Sequence, residues 1–88
     1  MKVIISKKVL KKIKKSDDFI KRHFVKAFER LKQGFPFERQ WNVHKLKWKY
    51  GIYWSINVTW DYRLIFRFDG DVIYIDEFWI HSKLYWYL

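Results

Sequence analysis

Apolar residues recur at helical spacing as far as Leu31 and at every second position after Gly51, so a helical first part gives way to a stranded second part. Val3-Ile4-Ile5 is a short β-branched run ending at Ser6, a residue suited to cap a helix. Beyond it Val9, Leu10 and Ile13 recur among lysines, which predicts a short basic amphipathic helix. Ser16-Asp17-Asp18 supplies a second cap with acidic first-turn residues, and Ile20, Phe24, Ala27, Phe28 and Leu31 mark one face of a longer helix. Gly34 and Pro36 end it. Residues 35–49 read as a connecting loop lined by Lys45, Lys47 and Lys49.

From Ile52 the apolar residues Ile52, Trp54, Ile56 and Val58 alternate with Tyr53, Ser55, Asn57 and Thr59. A tight connection at Trp60-Asp61 leads into Tyr62, Leu64, Phe66 and Phe68, alternating with Arg63, Ile65 and Arg67, and Asp69-Gly70 signals a two-residue hairpin. Val72 to Ile80 completes an antiparallel meander. The predicted architecture is one α+β domain over residues 1–88, ordered β-α-α-β-β-β, an antiparallel sheet with two N-terminal helices packed on one face. The helices should cover Ile56, Val58, Leu64 and Phe66, which leaves the face with Ser55, Asn57, Arg63 and Arg67 to line a cleft.

Composition narrows the chemistry. A chain of 88 residues holds a single core and buries only about 60–65 % of its unfolded surface. It has no cysteine, so disulfides, thiolate metal ligands and a cysteine nucleophile are excluded, in keeping with a reducing cytoplasm. The start lacks a signal-peptide apolar run, and no stretch approaches the length of a membrane span, so no membrane partner is expected. Up to Lys49 there are sixteen basic against four acidic residues, and afterwards three against five, so the basic field belongs to the first half. Such a field attracts a polyanion in a salt-dependent manner, although a lysine run such as Lys7 to Lys15 also suits a plain solvated helix face. Aromatic content of 23 % exceeds what a small core needs, which leaves rings for stacking on bases.

Metal-free RNA cleavage needs a base for the 2′-hydroxyl proton, a cation for the phosphorane, and an acid for the departing 5′-oxygen. Histidine and arginine can fill these roles near neutral pH. His44 precedes the meander, His81 follows its last strand, and Arg63 lies between them on the polar face. His23 reads instead as an ordinary surface histidine, and the scattered acids Asp17, Asp18, Asp76 and Glu77 have no metal-ligand spacing. Neither a metal nor a cofactor is expected.

The motifs His-x-Leu at 44–46, Ser-Ile-Asn-Val at 55–58, Asp-Tyr-Arg at 61–63 and His-Ser-x-Leu-Tyr at 81–85 occur in this order across nearly the whole chain. In them the sequence resembles the RelE/ParE toxin superfamily, and most of all the RelE/StbE and YafQ-like mRNA interferases of type II toxin-antitoxin systems. The resemblance implies a microbial-ribonuclease-like fold, a cognate antitoxin as partner, and cleavage of mRNA in the ribosomal A site. Carried over by position, it implies His44 and His81 as acid/base pair, Asp61 as the hairpin acid, Arg63 as phosphate binder and Tyr85 as the aromatic that orients the nucleotide. Lys45, Lys47, Lys49, Asn57 and Arg67 are the expected RNA contacts. A non-catalytic member of the superfamily, either a gyrase-inhibiting ParE-type toxin or an inactive RNA- or antitoxin-binding relic, is the alternative.

The chain departs from that pattern three times in one way, with Trp48, Trp60 and Trp79 where relatives commonly have glycine. Glycine there permits positive φ or a close approach of substrate, so altered turns and a narrower cleft are expected. A second reading is that the three are UGA codons read as glycine by the source organism; UGG at all three would exclude it.

Overall fold

The computed structural model describes residues 1–80, apart from the side chain of Trp48. Strand β1 (Lys2–Ile5) runs into helix α1 (Lys7–Lys14) at Ser6, whose Oγ accepts from the Val9 N–H at 3.2 Å. Helix α2 (Asp18–Gln33) starts in the same manner, with Asp17 accepting from the Ile20 N–H at 2.9 Å. Both caps satisfy an N–H that the helix itself leaves unbonded. Gly34 closes α2 with φ 71°, a conformation few other residues adopt, and its N–H donates to the Leu31 carbonyl at 3.1 Å.

The segment expected to be a plain loop is more ordered than its composition suggests. It holds a one-turn 3-10 helix at Arg39–Trp41, a two-residue strand β2 (His44–Lys45) and a second 3-10 turn at Trp48–Tyr50. Strand β2 exists because β3 (Tyr53–Asn57) offers it an edge: His44 pairs with Ser55 and Lys45 with Trp54. So His44 sits on a strand, not in a loop.

Strands β4 (Tyr62–Asp69) and β5 (Val72–Ile80) complete a sheet of order β1-β5-β4-β3-β2, antiparallel apart from the parallel pairing of β1 with β5. The β4–β5 hairpin turns one residue later than expected, since Asp69 pairs with Val72 and the loop is Gly70-Asp71. Only its first position has positive φ, 61° at Gly70, as a type II′ turn requires.

As expected, the helices cover Ile56, Val58, Leu64 and Phe66, which join Val9, Phe24, Ala27, Leu31, Ile73 and Ile75 in the main core. Burying each large member contributes about 1.5–3 kcal/mol. The opposite face is not the open polar cleft expected. Leu46, Ile65 and Trp79 form a second small core there, flanked by Tyr50 and Tyr53, and Ser55 is fully buried beneath it. Among the described residues two clefts remain on this face, one of about 460 Å³ bordered by Tyr50, Tyr53, Ile65, Asp76, Glu77 and Trp79, and one at its end around Asn57 and Arg63.

Candidate functional site

Cross-strand pairing aligns the site. On the face away from the helices, His44, Ser55, Ile65 and Glu77 form one row across four strands, and Asn57, Arg63 and Trp79 form the next. Paired residues of a sheet share a face, so His44 and Arg63 lie on the same side, two strands apart and one row out of step. Lys45, one residue on, pairs with Trp54 and belongs to the other face, so the structure does not bring it together with His44.

Arg63 is only 6 % exposed, yet it borders a cleft of about 350 Å³ with Arg39, Gln40, Asn42, Asn57 and Trp60. Its Nη1 donates to the carbonyls of Thr59, Trp60 and Tyr62 at 3.2, 3.3 and 3.4 Å, which ties the guanidinium to the β3–β4 turn. Burial pulls its pKa below the ordinary arginine value, and the negative charge of Asp61 opposes that shift. Arginine stays charged regardless, so a cation is held at the floor of the cleft. Asp61 itself is exposed, with its N–H donating to the Thr59 Oγ1 at 3.3 Å.

His44 does not line this cleft itself and is tied to its rim by Asn42. The ring Nδ1 lies 2.9 Å from the Asn42 carbonyl oxygen. A carbonyl can only accept, so Nδ1 is the donor, and in the neutral ring Nε2 is then the nitrogen with the lone pair that a general base requires. Asn42 is held at φ 48° and its N–H donates to the Arg39 carbonyl at 2.9 Å. The same residue thus caps the 3-10 turn, orients His44 and lines the Arg63 cleft.

Other expected site residues fare differently. Asn57 lines the cleft, and its Oδ1 is buried with no hydrogen-bond partner among the described residues. Arg67 is committed elsewhere: its Nε is 2.9 Å from the Asp76 carboxylate and its guanidinium lies 4.4 Å from the Tyr74 ring centre. Asp76 is free to do this because it is the extra residue where the β4–β5 register shifts, with Ile65 opposite Glu77 but Phe66 opposite Ile75. Lys47 and Lys49 are exposed near the 3-10 turn, and the Lys49 ammonium lies 5.3 Å from the Tyr50 ring centre. His81 and Tyr85 lie outside the described residues. Among the described residues no group of three or more His, Asp or Glu could hold a metal ion.

The tryptophans in usual glycine positions sit on ordinary backbone. Asn42 is the one described non-glycine residue with positive φ, so neither Trp60 nor Trp79 is strained by its side chain. Trp79 is 8 % exposed, meets Tyr50 edge-on at 5.9 Å, and donates from Nε1 to Glu77 at 3.1 Å. Trp60 is the opposite case, 87 % exposed on its turn. Sequence reasoning passed over Arg39, Gln40 and Asn42 because they lie in a segment whose turns depend on contacts with β3.

No family model matches the chain, and no curated protein matches it. Solved structures do. A copper-bound mutant toxin from Helicobacter pylori superposes with TM-score 0.70 at 21 % identity, over 96 % of this chain and 98 % of that one. YafQ from Escherichia coli gives 0.70 at 16 % identity, over 94 % and 96 %. The RelB-RelE antitoxin-toxin complex from Methanococcus jannaschii gives 0.72 at 19 % identity, over 97 % and 98 %. The fold is that of the RelE/ParE toxins. Within a RelE/ParE-like fold, the face bearing His44 and Arg63 is the one the helices leave uncovered.

Proposed function

We propose that this chain is the toxin of a toxin-antitoxin pair and that it cuts mRNA on the ribosome by metal-free acid/base chemistry. The observation that carries the reading is the joint placement of His44 and Arg63. One sheet face carries a histidine whose Nε2 is left able to take a proton and a buried arginine at the floor of a cleft, and Asn42 connects the two. The likeness to YafQ and to the RelE toxin of an antitoxin complex supports it.

In this reading His44 Nε2 takes the proton of the 2′-hydroxyl, whose oxygen attacks the adjacent phosphorus. Arg63 stabilises the extra negative charge of the phosphorane, with Asp61 keeping the guanidinium oriented at the turn. His81 protonates the departing 5′-oxygen, and Tyr85 orients the nucleotide. The products are a 2′,3′-cyclic phosphate and a 5′-hydroxyl, with no metal or cofactor consumed. Lys47, Lys49 and Asn57 contact the RNA. The basic first half of the chain draws the protein to the ribosome, in the cytoplasm, and a cognate antitoxin blocks the cleft.

A reconstituted translation reaction tests this directly. Wild-type protein should halt synthesis and leave shortened mRNA with 5′-hydroxyl ends, and an excess of the antitoxin encoded beside it should prevent both. Full-length mRNA after wild-type addition would overturn the reading.

A further inference from the structure

Among the described residues Trp60 is the most exposed large apolar one, at 87 %, and it stands where two clefts meet. Gln40, Asn57 and Trp60 line both; Arg39 and Arg63 belong to one, and Trp41 to the other. A bare indole in water is unfavourable unless something covers it. On one side it is bordered by polar and cationic groups, two guanidiniums and the Asn57 and Gln40 amides, and on the other by Trp41, Val58 and Thr59. An apolar protein helix would cover Trp41 and Val58 but would leave the two guanidiniums beside that ring without an anion. A nucleotide presents three features that match it: a flat base to stack, a polar base edge for the Asn57 amide that lines both clefts, and a phosphate for arginine.

We propose that Trp60 is a stacking platform for a single-stranded nucleobase, with Asn57 bonding the base edge and Arg39 holding its phosphate, so that the neighbouring phosphodiester is delivered to Arg63. The Trp60 carbonyl accepts from Arg63 Nη1 at 3.3 Å, which couples the platform to the arginine and fixes their spacing. The subsite deepens the reading of the chain as an RNA-cutting toxin, and it rests on that reading for the role of Arg63 but not for base binding itself. Glycine at this position would leave Arg63 in place and remove the platform, so base preference would differ between this chain and glycine-bearing relatives.

The probe is a tetranucleotide of 2′-O-methyladenosine, which has no 2′-hydroxyl to attack and so binds uncut. Its binding is followed at the Trp60 indole N–H resonance, assigned by the loss of that signal in Trp60→Phe, and in parallel by anisotropy of a labelled copy. Stacking is worth about 1–3 kcal/mol per base, so Trp60→Gly should weaken binding at least about fivefold while Trp60→Phe stays within about threefold of wild type. Asn57→Leu should weaken it about threefold or more. Ribose 5-phosphate should shift the indole signal far less than the tetranucleotide. Equal affinity for wild type and Trp60→Gly would overturn the proposal. So would an indole signal that responds to ribose 5-phosphate alone, or to the antitoxin and not to RNA. A UGA codon at position 60, read as glycine, would remove the platform from the native protein and overturn it too. The two readings fail separately: tetranucleotide binding through Trp60 with mRNA left intact sinks the enzyme, whereas wild-type cleavage rates and positions with Trp60→Gly sink the platform.

Discussion

The imidazole of His44 hangs from the carbonyl of Asn42, with Nδ1 donating across 2.9 Å. That bond selects the tautomer, and Asn42 in turn is bound to the Arg39 turn at 2.9 Å. The candidate base is therefore held by backbone rather than by a carboxylate. Because His44 is half-buried on the edge strand β2, its replacement should spare the fold. His44→Ala should cut the rate of mRNA cleavage at least about tenfold while changing stability by no more than about 0.5 kcal/mol. Cleavage rates and urea titrations on the same preparations check this, and full activity in the variant would remove His44 from the chemistry.

Arg30 organises the approach to that turn. It is 8 % exposed, donates to Glu38 at 2.7 and 3.2 Å, to the Gly34 carbonyl at 3.1 Å and to the Pro36 carbonyl, and lies 4.5 Å from the Phe37 ring centre. A lysine cannot reproduce that fork, so Arg30→Lys should cost about 2–3 kcal/mol in urea unfolding. An unchanged midpoint would show that the network contributes nothing net.

The same pair gives stability a pH dependence. Hydrogen bonding from Arg30 holds the Glu38 carboxyl below the usual glutamate range. A lowered folded pKa means that this contribution is present above the ordinary glutamate value and is lost as pH falls through the lowered one. Glu38→Gln should therefore flatten the acid limb of the stability curve. An acid limb of wild-type slope would contradict it.

Trp79 and Trp60 should answer glycine substitution in opposite ways. Trp79 fills the second core between Ile65, Leu46 and Tyr50, so Trp79→Gly should destabilise by about 3–5 kcal/mol through the cavity it leaves. Trp60 touches solvent on its turn, so Trp60→Gly should stay within about 0.5 kcal/mol. Thermal melts of both variants separate the cases. A mild effect at position 79 would mean that the second core is not holding the face together, and would favour the recoded-glycine reading there.

Much of this architecture was written in local pattern. Ser6 and Asp17 sit one residue before their helices, and the alternation at Ile56, Val58, Leu64 and Phe66 named the core face. What pattern could not supply depends on distant partners. Strand β2 forms only against Ser55 and Trp54, and β1 finds its parallel place beside β5 through residues some seventy positions away in sequence, as Lys2 with Val72. The apolar cover of the outer face was hidden because Ile65 reads as one apolar residue among arginines, and Leu46 and Trp79 reach it from separate segments. Arg67 was grouped with Arg63 by alternation, but the register shift at Asp76 gave it an ion-pair partner. The shared face of Arg63 and Asn57 was legible from alternation, whereas the place of Asn42 at the same cleft needed its left-handed backbone to be seen.

The central claim is that the face bearing Arg63 cuts RNA, and 5′-end mapping of a defined mRNA on programmed ribosomes tests it most directly. Wild type should produce new 5′-hydroxyl ends at codons in the A site, and Arg63→Ala should lower their yield at least about tenfold with ribosome binding retained. New ends in equal yield with both proteins, or none with wild type, would contradict it.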